Sequence, residues 1–133
     1  MQMLVGGKWR DAADGKQRAV VNPSTGEVID RVPVATQADV EEALRIATLG
    51  KEVMGALPAH RRRDILLRVS DLILENTQEL ATLLAMENGK PIRQTTEEIK
   101  CAAYIFASFA EEAKRIMGSV VDRKSTRLNS SHG

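Results

Sequence analysis

Aromatic residues are scarce in this sequence: Trp9, Tyr104, Phe106 and Phe109 are the full set, or 3% of 133 residues. So few stacking side chains argue against a platform for single-stranded nucleic acid. Acidic and basic residues nearly cancel, and the formal net charge of +1 gives no electrostatic footprint for DNA, RNA or an anionic membrane. The composition therefore predicts a protein without a nucleic-acid partner.

Cysteine and histidine are equally sparse. The single cysteine, Cys101, excludes an intrachain disulfide and fits a reducing compartment. The two histidines, His60 and His132, are too few to predict a metal site. No apolar run approaches the roughly 18 residues of a membrane helix, and residues 1–3 do not begin a signal peptide. These absences predict a soluble, cytoplasmic protein with no membrane partner.

The longest amphipathic pattern runs from Pro58 to Pro91. Asn76 interrupts it as a second helix cap, so we expect two helices, at about 60–75 and 77–88. Gly89 suits the left-handed position after the second helix, and Pro91 prevents its continuation. The spacing predicts one apolar stripe, formed by Ile65, Leu66, Val69, Leu72, Ile73, Leu80, Leu83 and Leu84.

The residues before this pattern predict β-structure and one more helix. We expect a short strand over 4–10, with a turn or bulge at Gly6-Gly7, and a hairpin from 19–21 and 27–34 around the turn at 22–26. Thr36 to Asp39 has the spacing of a helix cap. The helix that follows carries Val40, Ala43, Leu44 and Ala47 as its apolar stripe. We expect it to fray between Gly50 and Gly55.

A last helix is predicted from about Arg93 to Met117, ended by Gly118. Its expected buried face consists of Ile99, Ala102, Ala103, Phe106, Phe109, Ala110 and Ala113. The sequence thus predicts an α+β chain, with an N-terminal β-hairpin followed by about four α-helices.

Four segments together resemble the N-terminal region of the aldehyde dehydrogenase superfamily. They read VGGKW at 5–9, NPSTGE at 22–27, LPAHRR with the following DIL at 57–66, and MENGKP at 86–91. Each is weak alone, but all four occur in the order and at the spacing of that family. The resemblance covers roughly Met3 to Asp122.

The resemblance implies that residues 1–122 are the N-terminal part of a cofactor-binding α/β domain. The implied parent is a homo-oligomeric enzyme that oxidises an aldehyde to a carboxylate with NAD or NADP, through a cysteine thioester. The family's nucleophilic cysteine, activating glutamate and oxyanion asparagine come later in its sequence, as do the cofactor-binding and subunit-joining strands. We therefore expect this chain to carry no catalytic, cofactor-binding or metal-binding residue, to be inactive alone, and to expose an apolar patch.

Cys101 invites a catalytic interpretation, but it lies within a helix pattern and without a glycine-rich strand-to-loop context. By resemblance, Cys101 and Ile105, one turn on, border the mouth of the substrate tunnel, where they would affect access and selectivity. The alternative for Cys101 is a buried small apolar side chain. Both interpretations are open from the sequence.

Other motifs favour structural roles. Gly6-Gly7 and residues 88–90 lack the spacing of a phosphate loop, which indicates turn and cap glycines. Residues 61–63, three arginines, are followed at once by Asp64, which indicates a solvated helix start with partial ion pairing. The carboxylate pairs Glu97-Glu98 and Glu111-Glu112 diverge by about 100° on a helix and cannot converge on one bond. We expect Glu111 to pair with Arg115.

Residues 124–133, KSTRLNSSHG, break every trend and resemble translated sequencing-adaptor sequence more than the family's continuation. A natural disordered tail is the alternative. Two other functions belong to different classes: a stand-alone helical interaction module without catalysis, and a small nucleic-acid binder that uses residues 61–63.

Overall fold

The computed structural model of the chain describes residues 1–116. Two antiparallel hairpins lead into four helices, which confirms the predicted α+β class. The elements are β1 Met3–Val5, β2 Lys8–Arg10, β3 Gln17–Val21, β4 Val28–Pro33, α1 Gln37–Ala56, α2 Ala59–Glu75, α3 Thr77–Asn88 and α4 Ile92–Glu112. The boundary predicted at residue 122, the stop at Gly118 and the tail at 124–133 lie outside the described residues.

The single strand predicted over 4–10 is instead a hairpin of its own. β1 pairs with β2, with Leu4 opposite Trp9. The turn residues Gly6 and Gly7 both have positive φ, 60° and 76°, which favours glycine twice and suits a two-residue hairpin turn. A side chain on Gly6 would press on the end of Ile46, so this turn packs against α1.

β3 and β4 form the second predicted hairpin, with Ala19 opposite Arg31 and a register shift between Val20 and Val21. Its turn follows the chemistry of its residues. The Asn22 side-chain oxygen accepts from Ser24 N at 2.9 Å, and Gly26 takes a φ of 77°.

The capping box predicted at the start of α1 is confirmed. Thr36 Oγ1 accepts from Asp39 N at 3.3 Å, while Asp39 Oδ2 accepts from Thr36 N at 2.9 Å. The predicted fraying between Gly50 and Gly55 is wrong, because α1 continues to Ala56. Pro58 supplies the stop instead, since it forces Leu57 out of the helical region to a ψ of 140°.

Asp39 also ties α1 to the first hairpin. Its side chain is only 3% exposed and accepts from Ala13 N at 3.1 Å, while Arg10 Nη2 lies 3.2 Å from its other oxygen. Backbone N–H groups of Thr36 and Ala13, the Thr36 hydroxyl and the Arg10 charge together hold the pKa of Asp39 below its ordinary value.

The break at Asn76 is confirmed, but its chemistry differs from the prediction. The Asn76 side chain donates back to Leu72 O at 2.8 Å and makes no cap hydrogen bond to α3. Asn76 therefore satisfies the end of α2. At the other end of α3, Gly89 holds the predicted left-handed position, and its N–H donates to Ala85 O at 2.9 Å.

α4 packs across α2 and α3, and the two predicted stripes cover each other only in part, since Ile65, Leu72 and Phe106 stay 43%, 42% and 37% exposed. The buried residues at this contact are small, which allows a close approach of the helices. They are Ser70, Ala81, Thr95, Ala103, Ala110 and Ala113. Phe109 was predicted on this face but is 63% exposed, because six residues place it about 120° around the helix from the buried Ala103.

The predicted exposed apolar surface is present. It extends over α1, where Leu44 and Val53 are largely exposed, and over the outer side of α4. Residues 1–116 do not bury these large apolar side chains.

Replacing Gly89 with alanine should destabilise the chain by at least about 1–2 kcal/mol, the cost of a left-handed backbone for a residue with a Cβ. The added Cβ would also lie 2.9 Å from Pro23 Cγ. Gly50→Ala is the matched control, because Gly50 lies inside α1 with no atom within 4 Å of a new Cβ. It should stabilise by about 0.5–1 kcal/mol. Urea unfolding followed by circular dichroism measures the change in the free energy of unfolding for both variants. If both changes have the same sign, the left-handed helix cap at Gly89 is contradicted.

Asp39 should make stability depend on pH in the acid range. Because its pKa is lowered on folding from an ordinary value of 3.8, the stabilisation is complete above that value and is lost as pH falls through the lower folded pKa. Asp39→Asn should therefore lower the urea midpoint at pH 7 and reduce its further fall towards pH 3. Asp71→Asn, at an exposed position on α2, is the control. If the urea midpoint of Asp39→Asn falls with pH as steeply as that of the unchanged chain, Asp39 is not the source of the pH dependence.

Candidate functional site

The outward side of α4 carries both residues expected at a substrate tunnel. Cys101 is exposed and Ile105 is 48% exposed, so the alternative that Cys101 is a buried small side chain is wrong for this chain. The reason is helical geometry. Each residue turns the helix by about 100°, and Cys101 and Ile105 stand two residues before and after the buried Ala103, on the opposite side.

Apolar neighbours extend this surface, which we call the outer face of α4 and define by Cys101, Tyr104, Ile105 and Phe109. Tyr104 is 74% exposed and Phe109 63%. An uncharged wall of this kind can line an access route for a small apolar or carbonyl-bearing molecule. The carboxylates one turn before Cys101, Glu97 and Glu98, are ion-paired with Lys100 and Lys90, so this surface is suited to shaping access and not to activating a nucleophile.

Two buried hydroxyls hold the inner side of α4. Ser70 Oγ donates to Ala103 O at 2.8 Å, and Thr95 Oγ1 donates to Ala81 O at 2.9 Å. The first bond joins α2 to α4 and the second joins α4 to α3.

Ser70 and Thr95 escape prediction from the sequence, although a signal exists. Ser70 stands four residues after Leu66, and Thr95 four residues before Ile99, so each interrupts an apolar stripe at helical spacing. A polar residue at such a position needs a buried partner, but the spacing does not say which.

An open cleft of about 520 Å³ lies where the β3–β4 turn meets the end of α3. Its polar groups are already engaged, since Lys90 Nζ lies 2.8 Å from Glu98 and Asn22 accepts from Ser24. Gly89 is the helix cap described above. The cleft therefore presents turn and cap chemistry.

The charged residues form ion pairs on the surface. Arg63 is paired both with Asp64 and, across to α4, with Glu111, each at 3.1 Å, as expected for a partly paired helix start. The predicted pair of Glu111 with Arg115 is wrong. Glu111 contacts Lys114 and Arg63, and these two cations lower its pKa.

Arg115 pairs with Glu112 instead, at 3.1 Å. α4 ends at Glu112, so the i,i+4 geometry that the prediction required does not extend to residue 115. Glu97 and Glu98 bind Lys100 and Lys90. The four carboxylates are therefore surface partners of cations.

Within residues 1–116, no group of three or more His, Cys, Asp or Glu side chains is placed to hold a metal ion. None of the helices in that range combines the length and the apolarity needed to cross a membrane.

Comparisons with known proteins place these features in a family. The sequence profile of the aldehyde dehydrogenase family matches residues 9–132. Glutarate-semialdehyde dehydrogenase from Pseudomonas putida is 40% identical over 120 residues, which are 90% of this chain and 25% of that protein. The chain thus spans about a quarter of the length of the curated relatives it matches.

Solved structures agree in fold as well as sequence. An aldehyde dehydrogenase from Brucella melitensis biovar abortus superposes with a TM-score of 0.89 at 37% identity, over 94% of this chain and 26% of that one. PnpE in complex with nicotinamide adenine dinucleotide gives 0.88 at 34% identity, over 93% and 26%. On the profile match, the sequence identity and the shared fold, this chain belongs to the aldehyde dehydrogenase family.

Proposed function

We propose that this chain is the N-terminal part of an NAD(P)-dependent aldehyde dehydrogenase, whose complete form oxidises an aldehyde to a carboxylate through a cysteine thioester. The chain alone is inactive in this proposal. The observation that carries it is the outer face of α4, an exposed apolar surface on a substructure that matches about a quarter of a solved aldehyde dehydrogenase.

In the complete enzyme, Cys101 and Ile105 would form part of the substrate-tunnel wall. Ile105 leaves 48% of its surface uncovered here, and Cys101 is exposed beside it. A wall of this chemistry excludes water and selects aldehydes by the shape of their carbon chain. Because the wall takes no part in bond making, we propose that it affects the affinity for the substrate.

NAD(P) would be held by other parts of the enzyme. PnpE was crystallised with the dinucleotide, which supports this cofactor for the complete form. Gly6, Gly7 and Gly89 do not fit a phosphate site. Gly6 and Gly7 make a hairpin turn, with Gly6 against Ile46, and Gly89 caps α3 against Pro23. We propose that the described residues contribute no direct contact to the dinucleotide phosphates.

From the resemblance, we also propose that the complete enzyme is a homo-oligomer, whose subunits are joined by strands that this sequence does not contain. A cytoplasmic location is consistent with the single cysteine, which fits a reducing compartment.

A helical interaction module is the second candidate. The exposed apolar residues of α1 and α4 favour it, because uncovered patches of this kind mark contact surfaces. It requires the 133-residue chain to accumulate and to melt cooperatively alone.

Activity tests separate the two. The purified chain should give no aldehyde-dependent NADH or NADPH, measured at 340 nm with succinate and glutarate semialdehydes. A chimera in which residues 4–116 replace the aligned stretch of the Pseudomonas putida relative should be active. Activity of the chain alone would overturn the proposed inactivity. A folded chimera that binds NAD(P) but fails to oxidise aldehydes would overturn the assigned role.

In that chimera, Ile105→Ala should change KM for the aldehyde by about 10-fold, the order expected for removing methylene groups from an apolar pocket, with kcat nearly unchanged. Ile92→Ala is the matched control, because Ile92 is exposed to a similar extent, 46% against 48%, but lies off the outer face of α4. Equal effects of the two changes would remove Ile105 from the tunnel wall.

A further inference from the structure

We propose that Ser70 and Thr95 are positioning residues, a two-point hydroxyl clamp that sets the rotation and register of α4 and thereby aims Cys101 and Ile105 outward. The inference rests on the proposed tunnel wall for its functional meaning. Its structural part stands on hydrogen bonds and burial alone.

The most deeply buried residues of the α4 contact are small, so at that depth they give little steric guidance by themselves. Its buried members are Thr95, Ala103, Ala110 and the C-cap Ala113, and the facing buried residue of α3 is Ala81. Alanine faces allow two helices to approach closely, but they lack the large ridges and grooves that fix a unique crossing. Ala102 and Ala107, next to this surface, are partly buried as well, so neighbouring rotations would also present small side chains.

The hydroxyls of Ser70 and Thr95 fix the rotation and register of α4 that the small side chains leave undetermined. Thr95 is fully buried and Ser70 is 6% exposed, so water cannot readily replace either bond. Thr95 Oγ1 is 2.9 Å from Ala81 O and 3.1 Å from Ile92 O, so the nearer acceptor belongs to the other helix. Rotating or sliding α4 would leave a buried hydroxyl without its interhelical partner.

The placement of the two bonds makes the clamp effective. On α4 they attach at Thr95 and Ala103, eight residues or about 12 Å apart along the axis. One is donated by α4 to α3, and the other is received by α4 from α2. Two attachments on different helices fix translation and rotation together, where one alone would act as a pivot.

The clamp lies next to the proposed wall. Cys101 falls between the two attachment points, and Ile105 comes two residues after the second. With Ala103 held against Ser70, residues two positions to either side point away from the packed side. A rotation of one residue, about 100°, would carry Ile105 to the flank of the helix.

The first test measures geometry and does not depend on the enzyme's activity. In the full 133-residue chain, Cys101 is the only thiol, so Glu87→Cys adds one exposed second site on α3 for a pair of nitroxide labels. Double electron–electron resonance should show that Thr95→Val shifts or broadens the 87–101 distance by about 1.5 Å or more, the rise of one residue. Ser70→Ala should do the same.

Matched controls isolate the interhelical bonds. Thr95→Ser keeps the hydroxyl and should restore the original distribution. Thr96→Val and Ser108→Ala remove hydroxyls that donate within α4, to Ile92 O and Tyr104 O, and should leave it unchanged. If Thr95→Val loses its helical circular dichroism, Ser70→Ala decides the outcome. Unshifted distances in folded Thr95→Val or Ser70→Ala would overturn the clamp.

The second test links the clamp to substrate. In the active chimera, Thr95→Val should raise KM severalfold for the longer of two semialdehydes with kcat nearly unchanged, and Thr95→Ser should rescue it. A distance shift with the KM change supports the whole inference. A distance shift with unchanged KM would overturn the link to the tunnel wall, which separates that failure from failure of the clamp.

Discussion

The close contact of α4 with α2 and α3 is the constraint on which the helical layer depends. Its most deeply buried residues are small and mostly alanines, so their shape alone does not secure it. The cross-helix bonds of Ser70 and Thr95 matter for that reason, because they add direction where the most deeply buried side chains are small. A buried hydroxyl that is correctly paired contributes modestly to stability, but a mispaired one is costly, and this asymmetry favours one arrangement over its neighbours.

The same packing explains why the chain has two different surfaces. α4 gives its small residues to α2 and α3, which leaves Tyr104 and Phe109 exposed on the other side. α1 is joined to the first hairpin mainly through Asp39 and Ile46 and keeps Leu44 and Val53 exposed. A helix whose apolar residues face away from the residues that support it is suited to a further layer. The chain covers about a quarter of the length of each solved relative.

Short sequence motifs predicted most of the helix ends, because the interactions that start or end a helix involve residues close together in the sequence. The cap of α1, the break at Asn76 and the glycine after α3 are set by residues within a few positions of the backbone groups they satisfy. The errors arose where two local signals competed. Gly50 and Gly55 weaken a helix, but neither ends one, whereas Pro58 blocks the helical conformation of the residue before it. Phe109 was assigned to the core by its period, but it lies about 120° around the helix from the buried Ala103 and is exposed.

The contacts that define the site were harder to predict, because their partners have no sequence signature. Ser70 and Thr95 bond to main-chain carbonyls, and every residue has one, so the stripe places the donor without naming the acceptor. The ion pair of Arg63 with Glu111 was unpredictable for a similar reason. The sequence offers many acidic residues as partners, and only the crossing of α2 and α4 selects Glu111. The outward position of Cys101 and Ile105 then follows from the buried contact at Ala103, two residues away from each. Which side of a helix faces outward is thus decided by the few atoms that hold its inner side, and in α4 those atoms are two hydroxyl oxygens.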